Sequence, residues 1–145
     1  MKKVLLSFVM MFCAVCFCQA QWQVGGGLQF LKPSGGSSLG IGAEIMIPAN
    51  ENFVLNPSFH YYFEDGTVYA IDADVHYTGL VLNDEVLLNP FAGLNIIDSG
   101  TSEIGINIGL HVQAPIGESL TLYVEPKLIL VSDFDGFALG AGVFF

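Results

Sequence analysis

Arginine is absent from this 145-residue chain, and four lysines stand against 14 aspartates and glutamates, a formal net charge of −10. Phosphate backbones are held by cations, so nucleic acid is excluded as a partner. Charged residues of both signs reach only 12%, against roughly 25% in an average soluble domain. Hydrophobic residues make up 52%, which excludes disorder, because disordered chains are poor in apolar side chains and rich in charge. Cysteine is scarce too: Cys13, Cys16 and Cys18 all lie close to the N-terminus. The length suits one domain.

Residues 1–20 have the three-part pattern of a secretory signal peptide. Lys2 and Lys3 open it, residues 4–17 carry no charge, and Cys18-Gln19-Ala20 offers a cleavage point before Gln21. The apolar run is shorter than the roughly 20 residues that a spanning helix needs. Val15 precedes Cys16 and Phe17 precedes Cys18, where lipid attachment asks for a small residue. The expected mature domain is therefore 21–145. Removing the signal removes every cysteine, which excludes disulfides and thiolate metal sites. It leaves Lys32 and Lys127 against all 14 acidic residues, a net charge of −12.

What the mature chain does have is alternation. It holds no apolar run near 18 residues, and so no transmembrane helix. Over 103–114 every even position is apolar and every odd one is polar or glycine. Successive strand side chains point to opposite faces, so this is a strand with one greasy face and one small, polar face. Segments 22–30, 39–47, 53–63, 69–77, 86–96, 120–130 and 137–145 read the same way. Clusters of Gly, Pro, Asn, Asp and Ser separate them at 33–38, 48–52, 64–66, 82–85, 98–102, 115–119 and 132–136, the chemistry that turns require. Eight strands joined by hairpin-sized connections predict an all-β, antiparallel up-and-down barrel, closed by pairing the first strand with the last.

The apolar face is bulky and continuous, whereas the other is mainly Gly, Asn, Gln, Ser and small residues. An eight-stranded barrel has an interior just wide enough to be filled by side chains. Eight inward rows of Ile, Leu and Phe would overfill it, so the apolar face points outward and its solvent is lipid. The strand lengths suit a transmembrane β-barrel. Tyr69 and Tyr77 lie on the apolar face near opposite ends of one strand, and Trp22, Phe30, Phe53, Phe63, Phe137 and Phe145 also fall near strand ends, as aromatic girdles would.

The polar face holds the candidate chemistry. Glu44, Asp72, Asp74, Glu103 and Glu125 point inward with Lys127 as their cation, which predicts a lumen polar network that includes Lys127 in an ion pair. A sharper reading is a narrow, porin-like cation-selective pore. His60, His76 and His111 also face inward. His76 and His111 fall near one end of the barrel, two strands apart, with Asp74 nearby. Zinc wants three or four converging ligands, so no metal or other cofactor is assigned. Lipid-directed acyl chemistry would need Ser and His together on the lipid face. Ser58 and His60 both point inward, so no catalytic residues are assigned. Asp133-Phe134-Asp135-Gly136 lacks the further oxygen ligands of a calcium loop. Asn56-Pro57, Asn89-Pro90 and Glu125-Pro126 recur on alternate strands; proline removes a ladder bond, which predicts bulges or local twist.

The signal ending in Gln19-Ala20-Gln21, the opening Val24-Gly25-Gly26-Gly27-Leu28 and the closing strand 137–145 together resemble the small eight-stranded outer-membrane β-barrels of Gram-negative bacteria, the OmpA/OmpX-like group. The resemblance spans the mature chain. It departs only in its surface connections, which are all short. It implies export to the bacterial outer membrane, periplasmic termini, and periplasmic turns at 48–52, 80–85 and 115–119. It also implies that Phe137, Leu139, Ala141, Val143 and Phe145 form the C-terminal signal read by the barrel-insertion machinery. Outer-membrane lipid and that machinery are then the expected partners, and no residue pattern names an extracellular one. The expected function is a non-enzymatic barrel with a structural or interaction role. The cation pore is one alternative, and a soluble, lipocalin-like periplasmic carrier of apolar ligands is another.

Overall fold

The protein is described here by a computed structural model, which covers residues 22–33, 35–64, 66–131 and 135–145. The expected signal peptide and Asp133 lie outside the described residues. Strands β1 (Gln23–Pro33), β2 (Ser38–Pro48), β3 (Phe53–Glu64) and β4 (Gly66–Tyr77) are followed by the two-residue β5 (Leu80–Val81). Then come β6 (Leu87–Asp98), β7 (Ser102–Pro115), β8 (Thr121–Val131) and β9 (Gly136–Phe144). The eight long strands pair antiparallel with their chain neighbours, β4 pairs β6, and β1 pairs β9. That last pairing closes the barrel without an edge. No helix occurs among the described residues.

Segment 80–85, read from sequence as a plain turn, departs from expectation. Leu80 and Val81 fold back as β5 against Leu88 and Leu87 of β6. The connection is long enough for this flap, and Asn83 holds it by accepting from the backbone N–H groups of Glu85 and Val86 at 3.0 Å each. Asn50 makes the same bend before β3, accepting from Asn52 and Phe53 at 2.9 and 3.0 Å. Both are side-chain mimics of a backbone turn. Gly117 turns with a φ of 137°, a conformation closed to residues with a Cβ.

Side-chain period two sets the two faces. Ile104, Ile106, Ile108, Leu110, Leu122, Val124, Leu128 and Leu130 are exposed on the outer surface, Ile104 at 70%. Phe30, Phe63 and Phe137 lie at the end of that surface away from the termini, and Phe53, Tyr77 and Phe145 at the other. The intervening positions point inward, and most are buried. Apolar material also fills both ends of the lumen. Leu31, Tyr62, Val68, Ile97, Ile129 and Val131 pack together at the end opposite the termini. Met46, Tyr123 and Phe144 pack at the terminal end, with Val54 against them.

The expected bulges do not form. Around Pro57 the β2–β3 pairs Glu44–Ser58 and Ile47–Leu55 are three residues apart on both strands, so no residue is inserted. Around Pro126 the β7–β8 pairs Gly109–Lys127 and Val112–Val124 keep step in the same way. Pro57 and Pro126 interrupt the ladder without shifting it, and β6 stays in unbroken register with β7 through Pro90. At the first of these sites the missing donor is replaced: Asn56 Nδ2 donates to the Ile45 carbonyl at 3.2 Å. The residue before the proline thus satisfies a carbonyl that the proline leaves unpaired.

Inward glycines make room for particular large groups. A Cβ on Gly25 would meet the Phe144 ring, one on Gly42 the His60 ring, and one on Gly93 both Asp74 and the Ala73 carbonyl. The Gly93 case is the least forgiving, because backbone cannot rotate away. Gly93→Ala is expected to destabilise the barrel by about 1–3 kcal/mol, the usual overpacking cost. Urea unfolding in lipid vesicles measures it, and an unchanged midpoint would refute the close approach.

Candidate functional site

Between the two apolar layers lies a polar core built from seven of the eight long strands. Lys127 of β8 is its cationic centre, 2% exposed. Its ammonium donates to Asp72 Oδ2 of β4 at 2.6 Å and lies 3.5 Å from Glu125 Oε1. Asp72 also accepts from Asn95 Nδ2 and, at 3.5 Å, from the Ser58 hydroxyl. His60 Nε2 is 3.4 Å from the same carboxylate. Asp74 takes a separate partner, accepting from Asn107 Nδ2 at 3.1 Å. Glu44 accepts from Asn56 Nδ2 at 3.1 Å. His111 donates through Nδ1 to Glu125 Oε2 at 2.7 Å, and Gln113 donates to its Nε2 at 3.2 Å. Tyr62 of β3 donates to Gln29 of β1 over the intervening β2.

Lys127 therefore meets Asp72 and Glu125 directly, while Asp74 and Glu44 lie in the same layer without touching it. Glu103 is different: it sits half-buried at the rim. His76 makes no hydrogen bond through either ring nitrogen, although it is fully buried. Its ring stacks on Phe91 at 4.6 Å and meets the edge of His111 at 5.1 Å. The row continues through Tyr123, 4.9 Å from His111, to Phe144, 5.0 Å further on. Two strands of separation place the His76 and His111 backbones roughly 10 Å apart, at about 4.8 Å per strand. Side chains in a narrow barrel converge on its axis, and that halves the distance. No spacing in the sequence displays this convergence.

Ser58, His60 and Asp72 come together, but not in the order that nucleophilic catalysis uses. Ser58 Oγ is 3.0 Å from His60 Nε2, the same nitrogen that faces Asp72, and His60 Nδ1 has no partner. A triad needs the acid on the other ring nitrogen, where it fixes the tautomer. The group is also buried in the lumen, away from any lipid ester.

Two spaces adjoin this core. One is a cavity of about 10 Å³ in the lumen, bounded by Gln29, Glu44, His60, Tyr123, Glu125 and inward glycines. That is room for one water. The other is a recess of about 230 Å³ at the rim opposite the termini, lined by Leu31, Pro33, Glu64, Val68, Ile97, Ser99 and Glu103. Its floor is the apolar layer that closes the lumen.

Neither a family model nor a curated protein matches the sequence. Solved structures do. The N-terminal β-barrel domain of OprF from Pseudomonas aeruginosa superposes with a TM-score of 0.65 at 16% identity, covering 88% of this chain and 98% of that one. Neisserial surface protein A gives 0.61 at 17% identity, with 86% and 96% covered. Ail, the attachment invasion locus protein of Yersinia pestis, gives 0.59 at 14% identity, with 85% and 95% covered. With its closed eight-stranded antiparallel barrel and its outward apolar face, this chain has the fold of the small eight-stranded outer-membrane β-barrels.

Proposed function

We propose that this chain is an integral protein of the bacterial outer membrane, exported on residues 1–20 and inserted by way of its C-terminal strand. In this reading Phe137, Leu139, Ala141, Val143 and Phe145 are the signal for insertion, and the barrel is a closed structural or interaction element, neither a pore nor an enzyme. One observation carries it: the lumen is closed to bulk solvent. His76, Asn95, Asn107 and His111 are polar, point inward and are 0% exposed. Side chains lining a water-filled channel would be wet. Apolar layers above and below the polar core supply the seal, and Glu44, Asp72, Asp74, Glu125, Lys127, His76 and His111 fill the space between.

The same packing weighs against a lipocalin-like carrier, which needs a ligand-sized interior and a polar exterior. The kind of surface partner is bounded by charge. Ail forms a complex with the heparin analogue sucrose octasulfate. Here the rim opposite the termini presents Glu64, Asp98, Glu103 and Asp135 with Lys32 as its cation, which repels a polyanion.

Purified protein reconstituted in a planar bilayer is expected to be electrically silent, with insertion verified by protease protection in vesicles of the same lipid. Steady cation-selective channels in the wild-type protein would overturn the plug and establish the pore instead.

A further inference from the structure

We propose that the lumen holds a divalent transition-metal site, formed by Glu44 of β2, His111 of β7 and Glu125 of β8. One ligand atom from each of these three buried residues lies within 4.8 Å of the others. Three ligands from three strands are what sequence spacing could not display. Two of them, Glu44 and Glu125, border the lumen cavity of about 10 Å³, room for the one water that would complete a four-coordinate ion. Imidazole with two carboxylates is a donor set for zinc and its neighbours rather than for calcium or magnesium, which take oxygen alone.

Charge points the same way. The polar core encloses four carboxylates, Glu44, Asp72, Asp74 and Glu125, with Lys127 as the one lysine among the described residues that is buried there. Lys127 is committed to Asp72 and Glu125. Glu44 has only neutral hydrogen-bond partners among the described residues, the Asn56 amide and the Tyr123 hydroxyl, while a second carboxylate faces it across the cavity. A dication between them offsets the excess that the lysine leaves. In a four-coordinate zinc site the ligand atoms are spread at tetrahedral angles around bonds of about 2.0–2.2 Å, so the metal takes the place of the proton between His111 Nδ1 and Glu125 Oε2, which move apart from 2.7 Å, and Glu44 closes in from within 4.8 Å. Glu44 and Glu125 are long enough to make these shifts by rotating their own side chains. A partner for the other ring nitrogen is at hand: Gln113 Nε2 lies 3.2 Å from His111 Nε2, and turning that amide over presents its oxygen to accept from the ring nitrogen when Nδ1 binds metal. Apolar layers seal both ends of the lumen, so the ion enters as the barrel forms and afterwards exchanges slowly.

The test is to refold the mature barrel into phospholipid vesicles with zinc chloride, pass it through a chelating column, and measure zinc per folded chain. The wild-type barrel is expected to retain one zinc. Glu44→Gln and His111→Gln, each verified as folded by circular dichroism, are expected to lose at least nine-tenths of it. Glu103→Gln at the rim is expected to keep it. Cobalt substituted for zinc supplies a second readout, a visible absorption band of a low-symmetry four-coordinate ion that both lumen variants lack. Absence of retained zinc in the folded wild-type barrel, or equal retention by the two lumen variants, would overturn the site. A silent barrel that binds no zinc refutes this inference alone and leaves the plug standing.

Discussion

Ile106→Arg is expected to prevent most of the chain from assembling in a membrane. Ile106 lies on the outer face of β7, half exposed, and pairs with Leu94 of β6 and Leu130 of β8. Its neighbours two residues away along β7 are Ile104 and Ile108. An arginine there is surrounded by aliphatic side chains and, in the bilayer, by acyl chains. On the lipid face of a barrel such a cation costs about 2–4 kcal/mol near the midplane. A loss of that size is a large part of the 5–15 kcal/mol that stabilises a typical folded domain. Folding into vesicles, followed by the heat-dependent gel shift of folded barrels, measures the effect. Ser119→Arg, in the exposed connection before β8, is the control and is expected to assemble normally. Equal assembly of the two variants would mean that the aliphatic face does not meet lipid.

The success of period-two reading explains why that face was legible. Alternation is enforced by strand geometry, so one list of apolar positions fixes every orientation once the register is uniform. Here it is uniform, even across Pro57 and Pro126. The end layers were less legible. Strands read as ending at Phe30, Ile96 and Leu130 stop one residue short of Leu31, Ile97 and Val131, the inward apolar groups that seal the far end. Hydrophobic pattern locates strand ends poorly, because the last inward residue has no outward partner after it to complete the alternation. The lumen contacts were legible only in part. That Lys127 must find a carboxylate follows from the cost of an unpaired buried ammonium. Its choice of Asp72, 55 positions earlier in the chain, depends on how far side chains reach across the axis. The same limit hid the meeting of His111 with Glu125, which sit on adjacent strands with no short-range motif between them. Asn56 is a partial exception: an asparagine before a strand proline is a local feature, but Asn89 before Pro90 makes no such bond among the described residues, so the pattern alone does not announce the bond to the Ile45 carbonyl.

Lys127→Met is expected to cost about 3–5 kcal/mol, the usual result of breaking a buried ion pair by removing one partner. Methionine fills most of the lysine's volume, so the loss measures charge and not a void. What it leaves behind is Asp72, 1% exposed, with Asn95, Ser58 and His60 as its remaining polar contacts. Their dipoles do not neutralise a carboxylate as an ammonium at 2.6 Å does. Removing the charge of Asp72 as well should then recover much of the loss, since a neutral amide in its place can still accept from Asn95 through its oxygen and donate to the Ser58 hydroxyl through its nitrogen. The double variant Lys127→Met with Asp72→Asn is therefore expected to be more stable than Lys127→Met alone. Recovery should be incomplete, because Glu125 also loses the lysine and keeps only His111. Urea titrations of the wild type, both single variants and the double variant in the same vesicles give the coupling energy directly. A coupling below about 1 kcal/mol, the value of a solvated surface pair, would show that water reaches Lys127. That outcome would refute a dry, plugged lumen independently of any conductance measurement.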